Sequence, residues 1–215
     1  ADAIAARLGA PLPGPLQSMT STDGRLLVST TSAVYEWTQA EWRGLGPPTA
    51  LGFNQLLLVQ GEPTLLRKTM SGISTGSLRL HEGAWQSLPP PPAEGWGSDR
   101  PGVVVGGHLY AGFVAPDFAT GSPHSRVVRL EGDRWTPVGD WIPGVIDRLF
   151  DDRGQPAVAT ALKTTGLTGS TPASAGVLMR WTGEEWTPTS ELANGPIRDV
   201  TLTEGSNGNI AVTLS

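Results

Sequence analysis

Polar side chains recur where we predict the first strand of each of five repeated units to begin. They are Gln17, Asn54, Asp99, Asp147 and Asp199. If the units are aligned correctly, these strands line a central channel and the three aspartates converge there. Carboxylates around a channel could divide the roles of general base and general acid, the acid having a raised pKa. We call this set the channel polar ring.

Ion pairing is the alternative explanation of the same aspartates. Each is adjacent to an arginine, in the pairs Asp99-Arg100, Asp147-Arg148 and Arg198-Asp199. Ion pairs around a solvated channel would use these residues without catalysis. Because carboxylate position alone is weak evidence of mechanism, we expect no catalytic residue and no enzymatic activity.

Other residues have the chemistry of recognition. Trp96 and Trp141 lie in predicted connections between units, where an indole could contact a sugar or a partner protein, or fill a wedge in the core. The connections between second and third strands lengthen along the chain, and residues 115–125 and 163–176 are rich in Ser, Thr, Gly and Pro. Such loops either carry recognition or are tolerated insertions. The candidate binding residues are Trp96, Trp141, Phe118, Asp117 and Thr168.

The chain lacks the patterns of metal and nucleophile sites. It has no cysteine, and His81, His108 and His124 have no metal-ligand spacing. The segment Gly72 to Gly76 matches the letters of a catalytic-serine elbow, but no helix follows it. We therefore predict no metal and no cofactor.

The elements that position these residues follow from a repeat. In four segments an apolar residue or Trp is followed five positions later by Trp. A β-rich stretch precedes each segment, which predicts a tight hairpin with Gly83, Gly132 and Gly183 supplying the positive φ of the turn. The segments are Trp37 to Trp42, Leu80 to Trp85, Leu130 to Trp135 and Trp181 to Trp186.

A second pair of strand-like runs, joined by a short polar turn, precedes each Trp hairpin. Each unit then holds four antiparallel strands, and the second tryptophans lie 43, 50 and 51 residues apart. That period matches one blade of a β-propeller. Since no segment has a sustained helical period, we predict an all-β chain.

The two ends of the chain are predicted to build a fifth blade together. Residues 197–203 and 210–215 have the pattern of its first two strands, and Ala6 to Pro11 resembles the end of a unit. Sharing a blade closes the ring by pairing open sheet edges, although the short N-terminal segment leaves three or four strands possible. We predict one domain, 1–215, a five-bladed β-propeller of four-stranded antiparallel blades. The predicted blades are about 15–49, 50–95, 96–143, 144–194, and 195–215 with 1–14.

Each repeated unit consists of a strand, a short turn such as Asp23-Gly24, a second strand and a Trp hairpin. Over nearly the whole chain, these units resemble the blades of the five-bladed β-propellers of the tachylectin type. The resemblance implies carbohydrate binding, but the long near-identical repeats of that lectin family are absent. Five-bladed glycosidases are similar in placing carboxylates from different blades around a funnel. That second resemblance implies the enzymatic alternative.

Charge and hydropathy limit the classes of partner that the chain is expected to bind. The net charge is −5 and the sequence pI is about 5.2. No basic cluster is longer than Arg67-Lys68, so we expect no nucleic acid partner. The longest apolar runs are far shorter than a membrane-spanning helix, so we expect no membrane span. The sequence begins Ala1-Asp2-Ala3, so a signal segment has been removed or the sequence trimmed, and we expect an extracytoplasmic location.

The sequence therefore predicts a non-enzymatic binding module. A protein partner or assembly role is favoured over a lectin because the loops differ from blade to blade, whereas multivalent sugar binding gains from equivalent sites. A carbohydrate-binding propeller is the first alternative. A small glycosidase using the channel aspartates is the second.

Overall fold

The structure, a computed structural model, describes eleven stretches of the chain. They are residues 11–12, 14–22, 24–46, 54–67, 77–90, 96–97, 102–116, 123–162, 175–192, 200–204 and 210–214. All regular elements in these stretches are β-strands, which confirms the all-β prediction. The same stretches contain no helix with the length and apolar character needed to cross a bilayer.

The described stretches contain twenty strands, which form four blades and one smaller sheet. The first blade has β1 (Leu16–Thr22), β2 (Arg25–Thr30), β3 (Val34–Trp37) and β4 (Trp42–Gly46). The second has β5 (Asn54–Val59), β6 (Glu62–Arg67), β7 (Leu78–His81) and β8 (Ala84–Ser87). The third has β9 (Trp96–Gly97), β10 (Val103–Val105), β11 (His108–Pro116), β12 (Pro123–Glu131), β13 (Arg134–Pro137) and β14 (Ile142–Pro143). The fourth has β15 (Val145–Asp152), β16 (Gln155–Leu162), β17 (Ala175–Trp181) and β18 (Trp186–Leu192).

The blades follow one another in a propeller-like arrangement. In each blade the strands are antiparallel, and four of them pair in chain order. In the third blade those four are β10 to β13, while β9 pairs with β11 and β14 pairs with β12. The first strand of each blade contacts the first strand of the next, from β1 to β5, β10 and β15. These strands are therefore innermost, as the repeat predicts.

The described residues form four blades rather than five. After the fourth blade, β19 (Val200–Glu204) and β20 (Ile210–Leu214) make a two-stranded sheet. Two strands cannot supply the four-stranded repeat, and residues 1–10, expected to complete it, lie outside the described part of the chain.

The Trp hairpins form as predicted and join the blades. Gly83, Gly132 and Gly183 have φ values of 78°, 58° and 105° in their turns. The second tryptophan of each later blade donates its indole N–H to a carbonyl of the preceding blade: Trp85 to Leu45 at 2.6 Å, Trp135 to Pro89 at 3.0 Å and Trp186 to Val138 at 2.8 Å. In the first blade, Trp42 Nε1 is buried without a hydrogen-bond partner in the described structure.

The core lies between the blades. Leu27 of the first blade packs with Leu56 and Leu65 of the second. Between the second and third blades, Val59 packs with Leu109 and Leu130. Between the third and fourth, Val127 packs with Ile146 and Val158. Apolar packing therefore joins each of the four blades to the next.

Polar bridges tie the same interfaces together. Leu56 N–H donates to Ser18 Oγ at 3.0 Å, and Ile146 N–H donates to Ser125 Oγ at 3.0 Å. The Gln55 amide both donates to and accepts from the Gly102 backbone, at 2.7 and 2.6 Å. Each bridge satisfies backbone groups that the inner strands would otherwise bury unpaired.

Candidate functional site

The third blade departs from the repeat in its two middle strands. β11 and β12 are nine residues each and pair over seven of them, from Tyr110 opposite Arg129 to Pro116 opposite Pro123. Their ends extend past β10 and β13. The connection predicted as 115–125 is therefore shorter, because residues at both of its ends continue the hairpin.

Two short strands flank the extended end of this hairpin. Trp96 pairs with Val114, which pairs with Ser125, which pairs with Ile142. The end of the blade is thus a second four-stranded row, made by β9, β11, β12 and β14. We call this row the distal tier.

Breaks in the inner and outer strands create the distal tier. Five residues, 98–102, separate β9 from β10, and four residues, 138–141, separate β13 from β14. Gly139 lies in the outer break with φ 70°, and a Cβ there would overlap the Trp181 ring. Glycine is required for both reasons. The outer chain turns at this point and presents Trp141.

Trp141 and Arg126 form the most distinctive surface of the distal tier. Trp141 is 38% exposed, one of two large hydrophobic side chains so exposed in the described structure, the other being Met19. The Arg126 guanidinium carbon lies 5.1 Å from the Trp141 ring centroid, which is cation–π geometry. Phe113 pairs with Arg126 across the hairpin and meets Trp135 edge-on at 6.3 Å. Arg126 therefore lies opposite a buried aromatic residue on the neighbouring strand.

The alternation of side chains along β12 explains on which face of the strand Arg126 lies. Alternation along β12 puts Arg126 on the same face as Val128 and Leu130. Leu130 packs against Val59 of the second blade. Arg126 thus shares its face of β12 with His124 as well as with the two apolar residues, and its Nε is buried without a hydrogen-bond partner in the described structure.

Several arginines elsewhere in the blades have acidic partners. Arg25 Nε lies 2.7 Å from Glu36 Oε1, and Arg79 Nε lies 3.3 Å from Glu62 Oε2. Arg129 pairs with Glu131. Arg180 pairs with Asp152. No acidic residue in the described part of the chain pairs with Arg126.

The paired carboxylates show what these arginines do electrostatically. Burial raises the pKa of Glu36, but hydrogen bonds from Arg25 and Arg43 outweigh burial and hold it below its usual value. The hydrogen bond from Arg129 lowers the pKa of Glu131, with a further contribution from Thr136. Arginines on these strands therefore hold carboxylates in the charged form.

The predicted binding residues are partly brought together. Trp96 lies on β9 rather than in a connection, because it pairs with Val114. Trp141 lies in the outer break of the same tier. Phe118 and Asp117 belong to residues 117–122, between the hairpin ends, and they and Thr168 lie outside the described residues. The ligand roles of all five stay predictions.

The channel polar ring is partly placed. Gln17, Asn54 and Asp147 lie on the innermost strands β1, β5 and β15. Gln17 and Asp147 occupy equivalent bulges, where the register slips between Leu16 and Ser18 and between Ile146 and Arg148. Asp99 and Asp199 lie outside the described residues. The described residues therefore give no distance between two carboxylates of the channel polar ring, and the structure defines no acid–base pair.

The histidines and acidic residues show no metal centre. No group of three potential ligands could hold a metal ion within the described stretches. His81 Nδ1 lies 2.5 Å from Glu62 Oε1, beside Arg79. This histidine belongs to an ion-pair cluster on the second blade.

Comparisons with known proteins leave the family open. Neither the family models nor the curated proteins include a match to this sequence. What the structure supports is a propeller-like arrangement of antiparallel blades, four rather than five among the described residues.

Arg126 is the site residue that the sequence analysis missed. Its only sequence signal is a charge within the alternating run from His124 to Val128, at a position that shares a face with Val128. That signal becomes meaningful only when the register shows that no acidic residue stands opposite.

Proposed function

We propose that this chain is a non-enzymatic binding module that engages a protein partner through the distal tier of its third blade. One observation carries the proposal: Trp141 is exposed and stacked on Arg126, an arginine without an acidic partner in the described structure. Trp and Arg are the residues most enriched where binding energy concentrates in protein interfaces. The rigid blades beneath keep the ordering cost of binding small.

The partner is bound by side-chain contacts rather than by strand addition at this tier. The outer strand β14 contains Pro143, which lacks a backbone N–H and interrupts a hydrogen-bonding edge. An incoming strand would therefore pair poorly here. Recognition through Trp141 and Arg126 avoids that requirement.

Site-specific photocrosslinking in the native source tests the proposal. A photoreactive amino acid replaces Trp141 in one variant and Met19, the other exposed large hydrophobic residue, in a matched control. We expect a defined protein to crosslink at position 141 and not at 19. Equal crosslinking at both positions, or none at 141, would contradict the proposal.

A carbohydrate ligand is the alternative that the same surface supports. An exposed indole beside a hydrogen-bond donor is also suited to stacking on a sugar ring. A glycan array separates the two functions. Retention of a defined glycan that is lost in Trp141→Ala would favour the lectin.

Glycoside hydrolysis is the second alternative. Asp147 lies at a bulge on an innermost strand, and bulges often occur beside active sites. Turnover of chromogenic glycosides that disappears in Asp147→Asn would support an enzyme. We expect no turnover.

We also propose that the N-terminal segment closes the arrangement against the first blade. Among the described residues, Trp42 has no acceptor of the kind that the second tryptophans of the later blades have. The acceptor residue precedes the next blade by nine residues at Leu45 and by seven at Val138. The same spacing before β1 points to residues 7–9, which lie outside the described part of the chain. We further propose that the protein functions outside the cytoplasm, which fractionation of the native source would test.

A further inference from the structure

Several arginines that lie on strands of the blades are satisfied in the same way. A glutamate or aspartate of the same blade supplies the carboxylate, as Glu36 does for Arg25 and Asp152 does for Arg180. In the third blade Glu131 does so for Arg129, three positions along the same strand from Arg126. The distal tier provides no such carboxylate to Arg126 in the described structure.

Because Arg126 is partly buried, the absence of a carboxylate partner in the described structure carries a free-energy penalty. A guanidinium that has lost water around part of its surface favours an acceptor, and a charged acceptor most strongly. Of its three nitrogens, only Nε is buried without a partner. The two terminal nitrogens are not among the buried unpaired atoms, and we assign the contact with an incoming group to them.

The Trp141 ring orients that group. The indole covers one face of the guanidinium and limits its rotation, so the terminal N–H fork keeps a fixed direction. A fixed planar fork matches the two oxygens of a carboxylate. The exposed part of the indole lies beside the fork and can pack against apolar atoms of the same ligand.

We propose that Arg126 and Trp141 form a binding site for a glutamate or aspartate side chain presented by a partner protein. This inference rests on the proposed function and names the chemistry of the partner. The net charge of −5 opposes long-range approach of an acidic partner, so recognition depends on local contact with Arg126 rather than on steering. A carboxylate side chain is also the group that pairs with Arg25, Arg129 and Arg180 in these blades.

Selection from a library of random displayed peptides tests the inference. Peptides are selected on the wild-type chain and counter-selected on Trp141→Ala, so that only peptides dependent on the distal tier remain. We expect them to contain an essential Glu or Asp. Replacing it with Gln or Asn, or replacing Arg126 with Gln, should weaken binding by about ten- to a hundredfold, the range for a hydrogen bond to a charged group.

A conservative variant separates charge from geometry. Arg126→Lys keeps the charge but loses the planar fork, so it should recover only part of the affinity. Thermal unfolding of each variant verifies that the blades remain folded. Full recovery in Arg126→Lys would overturn the bidentate arrangement.

The outcomes distinguish the two proposals. Peptides that depend on Trp141 but bind without any acidic residue would overturn the carboxylate site and leave the binding function intact. A selection that yields no Trp141-dependent peptide would count against both. Binding of a polyuronic acid in the absence of any peptide binding would replace the protein partner with an acidic glycan.

Discussion

The guanidinium carbon of Arg126 lies 5.1 Å from the ring centroid of Trp141, at the point where the outer strand of the third blade is interrupted. The contact joins a residue of a paired strand to one in a break between two strands. Both residues are held by the scaffold, Arg126 by its pairing with Phe113 and Trp141 by the neighbouring strand β14. The arrangement is therefore available before a ligand arrives.

The indole N–H of Trp186 should contribute measurably to the joint between the third and fourth blades. It donates to the Val138 carbonyl at 2.8 Å. We expect Trp186→Phe to lower the free energy of unfolding by about 1 kcal/mol more than Trp181→Phe does, since a hydrogen bond contributes about that much. Urea denaturation measures the difference. Equal losses in the two variants would show that ring packing alone accounts for the joint.

Gly139 should be intolerant of any side chain. Its φ is 70° and a Cβ would overlap Trp181, whereas Gly183 has φ 105° and open space around it. We expect Gly139→Ala to cost about 1–3 kcal/mol more than Gly183→Ala, because only the first adds overlap to backbone strain. Thermal unfolding of the pair checks this. If Gly183→Ala is equally destabilising, backbone conformation dominates and the contact with Trp181 does not matter.

Glu36 should make stability depend on acid pH. Its pKa in the folded protein lies below the ordinary 4.5, because the hydrogen bonds from Arg25 and Arg43 outweigh the effect of burial. A depressed folded-state pKa gives stability that is present above the unfolded-state pKa and is lost as pH falls through the folded-state pKa. We therefore expect the stability difference between wild type and Glu36→Gln to shrink as pH is lowered from neutral to below 4.5. Urea denaturation across that range measures it, and a difference that grows on acidification would contradict the assignment.

The N-terminal segment should interact with Trp42. We expect deletion of residues 1–10 to lower the free energy of unfolding by at least about 1 kcal/mol, the value of one hydrogen bond. Trp42→Phe should destabilise the full chain but have a smaller effect in the deleted chain, because the acceptor is then already lost. Additive effects of the two changes would show that the acceptor of Trp42 comes from elsewhere.

The repeat could be predicted from sequence because its signals are local. The spacing of five between Trp181 and Trp186, with Gly183 at the turn, specifies a hairpin without reference to the rest of the chain. The split strands of the third blade could not be predicted in this way. β9 and β14 have two residues each, too few for an alternation pattern, and their pairing depends on contacts with a distant hairpin.

The residues of the candidate site also differ in whether local sequence signals predict them. Trp141 was identified because it breaks the tryptophan pattern, whereas Arg126 was not, because its lack of an acidic partner is a property of long-range register. The blade count was overestimated for a related reason. The C-terminal strands β19 and β20 have the repeat pattern but form only a two-stranded sheet among the described residues.

The most direct test of the account is the affinity of the partner crosslinked at position 141 for three chains: wild type, Trp141→Ala and Met19→Ala. Both replaced residues are exposed, at 38% and 46%, so the comparison separates the distal tier from general loss of apolar surface. The account predicts that Trp141→Ala weakens binding by about thirtyfold or more, the threshold of an interface hot spot, while Met19→Ala binds as wild type. Wild-type affinity in Trp141→Ala, with the fold intact by thermal unfolding, would contradict it.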